Sequence, residues 1–331
     1  MARVTLQSIA DRVGVSRMTV SNAYSRPDQL SADLRDRILA EAAALGYHGP
    51  DPAARSLATG TSGAIGVLWT QPLRLALSDA VTAHFLGALA DELAGDGLAL
   101  TLLPPTVPAH DVPMDGAVAY SSSAKAEAMQ WLHGRGVPVV GVDMEWPDGP
   151  HVAIDDRGGA RDAAAHVAEL GHRTVLVLTG GAAGDGHGVP DERLAGWIDG
   201  LGGIKPVVGF VDPYGDNSAA IADLLRRVRP TAVLCVTDLV AAQTLAVAAD
   251  LGLDVPGELS VVGFDDHPVA AGLGLTTVAQ AVDAKGRAAA RLLRQAMAHR
   301  SDAVAPEPAD VLLPVRLVVR RTTGPVSTPT A

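Results

Sequence analysis

Along residues 6–24, LQSIADRVGVSRMTVSNAY, apolar side chains at Leu6, Ile9, Ala10 and Val13 recur at helical spacing before Gly14-Val15 breaks the pattern. The spacing predicts a short helix that stops at the glycine, then a second from Arg17 to Tyr24 with Ser16 as N-cap. Val20 and Ala23 fall on the inner side of this second helix, and Arg17, Met18, Ser21 and Asn22 fall around its outer faces. Ser31 begins a third helix, 32–45, with Leu34, Ile38, Leu39, Ala42 and Leu45 on one face, so that three helices close on Val20, Ile38 and Leu39. A helix-turn-helix of this kind can lay its second helix in a DNA major groove, although small helical domains with no nucleic-acid role share the pattern.

The next stretch, HGPDPAARSLATGTSG, has Asp51 as N-cap, Pro52 at the first helical position, mostly helix formers through Ala58, and Gly60 as a stop. Helices shorter than about 12 residues are marginal in water, so this one needs something to pack against. Two readings of it stay open. Either it is a hinge that folds on DNA with Leu57 as an apolar wedge in the minor groove, or it is a linker whose frayed turn packs Leu57 on the rest of the chain.

From Ala64 the pattern changes. Apolar runs at 64–69, 98–103, 115–120, 137–143, 151–154, 174–178, 206–211, 231–236, 259–264 and 315–319 alternate with helical stretches near 79–95, 123–134, 157–170, 191–200, 217–228, 238–251 and 283–299. Such strands between helices indicate parallel sheets covered on both faces, and ten of them divide into two open α/β lobes. Ligands of these sheets bind beyond the carboxyl ends of the strands, which places the expected site in a cleft between the lobes. Trp69, Tyr120, Trp146, Tyr214 and Phe264 stand at strand ends, where they either stack a sugar or nucleobase or merely terminate buried strands. Gln71, Asp79, Asp143, Arg193, Asp238, Asp265 and Gln280 are the polar candidates at the same level.

Composition narrows the partners. A chain of 331 residues, 48% apolar, suffices for two or three packed units. Its apolar runs fall far short of the roughly 20 residues that span a bilayer, and no export segment opens it, so a soluble cytoplasmic protein without membrane contact is expected. The net charge of −11 argues against coating nucleic acid with the whole surface. Seven arginines against six acids leave residues 1–60 at +1 and the remainder at −12, which fits a DNA contact confined to one end.

Catalytic chemistry finds little support. The sole cysteine, Cys235, lies in the apolar run TAVLCV and reads as a small buried hydrophobe, leaving no internal disulfide or cysteine-based zinc site. The glycine-rich segment 180–193 lacks both the GxGxxG spacing and a Gly-Lys-Ser/Thr ending, so it reads as a cleft-edge loop rather than a phosphate cradle. Its His187 has no second ligand at helical spacing. No metal or cofactor is expected, and no nucleophile elbow points to an enzyme.

Six segments in order carry a resemblance: VTLQSIADRVGVSRMTVS at 4–21, ARSLATG at 54–60 before the IGV strand at 65–67, AAAHVAELGH at 163–172, ERLAGW at 192–197, SVVGFDD at 260–266 and LLPVRLVVRRTT at 312–323. Together they resemble the lactose/galactose repressor (LacI/GalR) family of bacterial transcription regulators. The resemblance implies an all-α helix-turn-helix headpiece at 1–48, a hinge at 49–61, and an α/β two-lobed, periplasmic-binding-protein-like body with two parallel doubly wound sheets. One lobe would comprise 62–170 with 283–311, the other 171–282 with 312–323, leaving 324–331 as a flexible tail. It further implies a homodimeric repressor on a pseudo-palindromic double-stranded operator, controlled by a small, sugar-like effector in the cleft.

Carried onto this chain, the family pattern places Arg17, Met18 and Asn22 in the groove, with Arg17 suited to guanine, Asn22 to adenine and Met18 to a thymine methyl. Thr5, Ser16, Thr19 and Ser21 would position phosphates, and Leu57, with Arg55 nearby, would supply the minor-groove wedge. Family members often have arginine where Asn22 stands, which leaves the half-site open. Arg193 and Asp265 match family effector contacts most closely, while Thr237 stands where an amide often touches ligand, so sugar specificity does not transfer. A two-lobed carbohydrate-binding protein without DNA function is the alternative.

Overall fold

The computed structural model describes residues 4–69, 71–122, 125–144, 146–147, 149–181, 188–299 and 310–326. His187, most of the glycine-rich segment around it and the end of the tail lie outside these residues. The chain divides after Gly63 into two compact units.

In the first unit, α1 (Leu6–Val13) is opened by a reciprocal cap between Thr5 and Ser8 and closed by Gly14, whose φ of 76° suits a residue without a Cβ. Ser16 accepts the Thr19 amide at 3.0 Å and starts α2 (Arg17–Ser25), and Ser31 starts α3 (Ala32–Ala44) in the same way. Ile9, Ala10, Val20, Ala23, Ile38 and Ala42 form the core. Leu39, expected there, is only half-buried. Ile38 and Ala42 lie four residues apart on one helix face, and Leu39 is turned about 100° from Ile38 and about 60° from Ala42, toward the edge of that face. A fourth helix, α4 (Pro52–Thr59), has Asp51 accepting the Ala53 amide at 3.0 Å and ends at left-handed Gly60.

The second unit begins with β1 (Ala64–Leu68), α5 (Leu73–Ser78), α6 (Ala80–Ala94), β2 (Ala99–Leu103), β3 (Gly116–Tyr120), α7 (Glu127–Gly134), β4 (Val139–Val142) and β5 (His151–Ile154). The chain then crosses to a second lobe through α8 (Asp156–Glu169), β6 (Val175–Gly180), α9 (Gly188–Gly200), β7 (Val207–Val211), α10 (Ser218–Val228), β8 (Ala232–Cys235), α11 (Asp238–Asp250), β9 (Ser260–Val262), α12 (Pro268–Leu273) and β10 (Thr277–Gln280). It returns with α13 (Val282–Ala298) and β11 (Val311–Leu313), and crosses a last time to β12 (Val315–Val318). The first sheet has the all-parallel order β11-β5-β4-β3-β1-β2, and the second the parallel order β7-β6-β8-β9. Ile65, Val67, Phe85, Leu89, Val118, Val140 and Leu293 fill one face of the first sheet, while Leu176, Val233, Leu234, Val240 and Val261 belong to the core of the second.

Three expectations need correction. The 315–319 run joins neither parallel sheet; β12 pairs antiparallel with β10 in a separate two-stranded ribbon. Leaving β11 across Pro314, β12 runs back along β10, with Val315 opposite Gln280 and Val318 opposite Thr277. Leu312, assigned with 312–323 to the second lobe, lies in β11 and pairs with Ala153 of the first sheet. Finally, the helix expected at 157–170 belongs to the second lobe, moving the boundary from 170 to about 155. Its Ala160, Ala163, Ala164 and Val167 are buried in the second core. Backbone approach decides this packing: a Cβ on Gly196 of α9 would stand 2.2 Å from the Arg157 carbonyl oxygen, and one on Gly200 would stand 2.1 Å from that of Arg161. Two glycines one helical turn apart let α9 lie directly on α8.

Candidate effector cleft and nucleic-acid surface

At the carboxyl ends of β3, β4 and β9 the backbone turns through left-handed geometry at residues other than glycine: Ser121 (φ 43°), Asp143 (φ 51°), Asp265 (φ 108°) and Asp266 (φ 53°). Such conformations cost about 1–3 kcal/mol each and persist where the surroundings over-determine them. Two of them, Asp143 and Asp265, hold carboxylates in one network that joins the lobes, while Asp266 accepts from Arg320 Nη2 at 2.7 Å.

Arg193, on α9, is its hub. Nε donates to Asp156 Oδ1 at 2.7 Å, Nη1 to the Val236 carbonyl at 2.5 Å and Nη2 to Asp265 Oδ1 at 3.2 Å, while the guanidinium lies 3.6 Å from the centre of the Phe264 ring. Gln280 Nε2 donates to the same Asp265 oxygen at 2.8 Å. Its Oε1 accepts from Lys285 Nζ at 2.6 Å, and Lys285 reaches Asp143 Oδ2 at 2.6 Å. The relay therefore runs Asp143, Lys285, Gln280, Asp265, Arg193, Asp156, from the end of a first-lobe strand to the start of a second-lobe helix. A second bridge faces it: Asp79 caps α6 through the Val81 and Thr82 amides and stands 3.8 Å from His267 Nε2 at the start of α12.

The charges interact. Burial alone would lower the Arg193 pKa, but Asp156 and Asp265 overcome that and hold it above its ordinary value. Burial pushes Asp265 up to about 6 although Arg193 and Lys285 oppose the shift. Burial, with Asp265 adding to it, raises Asp238 to about 8 against the hydrogen bonds it accepts from Thr277 Oγ1 at 2.6 Å and the His267 amide at 2.7 Å. Because the native state holds this proton more tightly than the unfolded chain, Asp238 stabilises the fold at acid pH and loses that contribution as pH rises toward about 8. Asp238→Asn is expected to flatten the fall in stability between about pH 4 and pH 8, read from urea midpoints.

Most effector candidates converge. Tyr214 is 43% exposed, and desolvation with Asp79 and Asp265 pushes its phenol up to about 12. Trp69 lies 5.7 Å from Tyr120, whose phenol is raised by burial and then by Asp143. Trp146 stands apart from the Arg193 network: its ring is buried with Leu68, Met129 and Leu132 in the first-lobe core, and it lines a cavity together with Asp143 and Asp156. Gln71 is exposed and the network does not include it. Thr237 serves as the N-cap of α11, accepting from the Val240 amide at 3.3 Å. Cys235 is buried, with its thiol pushed up to about 12, as an inert core position.

Sequence reading missed Lys285, Asp156, Thr277 and His267. Lys285 had a signal: it falls three and four residues before Ala288 and Ala289 on the buried face of α13, where a charge demands a partner. For Asp156 the hint was the acidic pair before α8. Asp155 caps that helix through Gly158 at 2.9 Å and leaves Asp156 to turn inward.

On the headpiece, Thr5 and Ser16 are caps, Thr19 Oγ1 lies 2.8 Å from Ser16 Oγ, and Ser21 is half-buried, its carbonyl accepting from Ser25 Oγ. Arg17 is exposed on the first turn of α2, and Met18 beside it is 69% exposed. Asn22 is half-buried and donates to Gln29 Oε1 at 3.3 Å. Arg55 is exposed on α4, and Leu57 is 88% exposed.

A capped two-helix reader and a two-lobed body with a polar cleft define a DNA-binding transcription regulator. Residues 5–50 match the family described as bacterial regulatory proteins, lacI family, and residues 164–323 match the periplasmic binding protein-like domain. An HTH-type transcriptional regulator of Mycolicibacterium smegmatis is 38% identical over 88% of this chain and 90% of its own length, and one of Mycobacterium tuberculosis is 37% identical over 98% of both. Among solved structures, a complex of the regulator CelR with cellobiose superposes with a TM-score of 0.71 at 26% identity, covering 97% of this chain and all of that one. The lac repressor dimer bound to operator shares the fold, with a TM-score of 0.82 at 24% identity over 98% of this chain and 100% of its own. The chain belongs to the LacI family of bacterial transcription regulators.

Proposed function

We propose that the chain works in the cytoplasm as a homodimeric repressor, each subunit placing α2 in one half of a pseudo-palindromic operator, with a sugar-like effector in the interlobe cleft setting DNA affinity. The role is regulatory rather than catalytic. The single observation that carries this reading is the buried relay from Asp143 to Asp156, which joins two lobes that a ligand would have to reposition. A similar body holds cellobiose in CelR, which supports a carbohydrate as effector.

Arg17 reads guanine through N7 and O6, Met18 meets a thymine methyl, and Asn22 reads adenine. Two copies of Leu57 enter the minor groove at the operator centre. Effector occupancy shifts the population of lobe orientations and with it the distance between the paired hinge helices. A gel shift with the DNA upstream of the protein's own gene tests the reading. A salt-sensitive complex that a cleft ligand weakens supports it; no discrimination between that DNA and random duplex contradicts it.

A further inference from the structure

A cavity of about 710 Å³ is built entirely from first-lobe residues, at the ends of β1, β2 and β3, along the loop 104–110 and at the start of α7. The volume lies within the range that holds a small ligand. Its lining includes no member of the relay from Asp143 to Asp156, so it is not the interlobe cleft. Leu68, Trp69, Leu103 and Ala109 give it a buried apolar floor. Trp131, whose ring lies 6.0 Å from that of His110, adds flat aromatic surface, and Pro104, Pro105 and Pro108 add apolar surface that carries no amide hydrogen.

Hydrogen-bond donors meet this surface at one place. Thr106, His110, Glu127 and Gln130 line the cavity but are exposed, whereas Ser122 is 8% exposed and its hydroxyl is bonded to none of the described residues. Ala126, Glu127 and Ala128 bring in the first turn of α7, which Ala126 opens without a side-chain cap. The amides of such a turn lack intrahelical acceptors and stand at the positive end of the helix dipole, where an anion is favoured. Glu127, the carboxylate of the lining, is exposed and therefore screened by solvent.

We infer that this cavity is a second ligand site, separate from the interlobe cleft, for a small aromatic carboxylate. The ring lies over Trp131 and the prolines, and the carboxylate accepts from the first-turn amides of α7 and from Ser122 Oγ.

The test is calorimetric titration of the full-length protein at pH 7 with benzoate, phenylacetate, cinnamate and indole acetate, each beside its primary amide. At least one acid should bind, with its amide about tenfold weaker, the scale of one anion held at a helix start. Ser122→Ala should weaken that acid about fivefold, as one lost hydrogen bond does. Ala126→Asn supplies α7 with an uncharged cap that takes one of the same amides, so it should keep the melting temperature of the parent or raise it while weakening the acid about tenfold. Tyr214→Ala, in the interlobe cleft, should leave the acid's affinity unchanged. An acid no tighter than its amide, or one indifferent to both Ser122→Ala and Ala126→Asn, overturns the assignment. So does an acid that Tyr214→Ala weakens and Ser122→Ala does not, because it sits in the interlobe cleft. A panel in which no acid binds overturns the inference as well, and leaves the cleft reading above untouched.

Discussion

Replacing Arg193 with methionine is expected to destabilise the body by about 3–5 kcal/mol, the cost of removing one partner from a buried charge network. The substitution nearly preserves volume, so the loss is electrostatic: Asp156 and Asp265, both buried, would face each other without the guanidinium between them. The Val236 carbonyl loses its donor as well. A fall in melting temperature of about 10 °C is the readable consequence for a unit of this size. Combining Arg193→Met with Asp156→Asn and Asp265→Asn should recover much of it, because neutral amides tolerate the vacancy. All ligand-dependent change in operator affinity should vanish in both variants. A single variant that melts within about 2 °C of the parent would mean that the triad is not the structural hub its distances indicate.

The second large effect belongs to the hinge helix. Leu57→Ala is expected to weaken operator binding about 100-fold in the dimer, about 1.4 kcal/mol for each of the two wedges at the central base step. Leu57 is 88% exposed, so the free protein should keep its melting temperature, and a cleft ligand its affinity. Equal operator affinity in the two proteins would remove Leu57 from the interface and favour the linker reading of 49–61.

The lobes were legible in the chain because parallel sheets covered on both faces leave apolar runs that alternate with amphipathic helices. Ten such runs correspond to ten of the twelve strands among the described residues. The two that escaped, β10 and β11, are four and three residues long: β10 mixes polar Thr277 and Gln280 with two apolar residues, β11 is separated only by Pro314 from the run that became β12, and β10 with β12 forms a ribbon set by the returning chain rather than by local pattern. The lobe boundary was illegible for a related reason: α8 follows a first-lobe strand, and only Gly196 and Gly200, forty residues later, determine which lobe receives it.

The cleft followed the same division. Arg193, Asp265, Gln280 and Asp143 stand at strand or helix ends that the pattern located, and the structure joins them in one relay. Trp146 stands at a similar place in the chain yet packs against the first-lobe core at the edge of a cavity it shares with Asp143, because an aromatic at a strand end carries no mark of the face it will choose. Lys285 was missed because α13 was read for its apolar face and not for the charge lying on it. In the headpiece, caps and glycines decide the geometry locally, and there Thr5, Ser16, Ser31, Asp51 and Gly60 act as their residue types dictate.

Everything proposed for regulation depends on α4 changing its stability when DNA is bound. Its eight residues have their own caps, yet Ala53, Ala54, Arg55 and Leu57 are exposed, and a helix that short holds little intrinsic stability. Hydrogen exchange at the amides of residues 53–59 measures this directly, in free protein, on operator, and on operator with a cleft ligand. Near-unprotected exchange in the free protein, strong protection on operator and renewed exchange with ligand is the expected result. Equal protection in all three states would leave the cleft with no means of reaching the DNA.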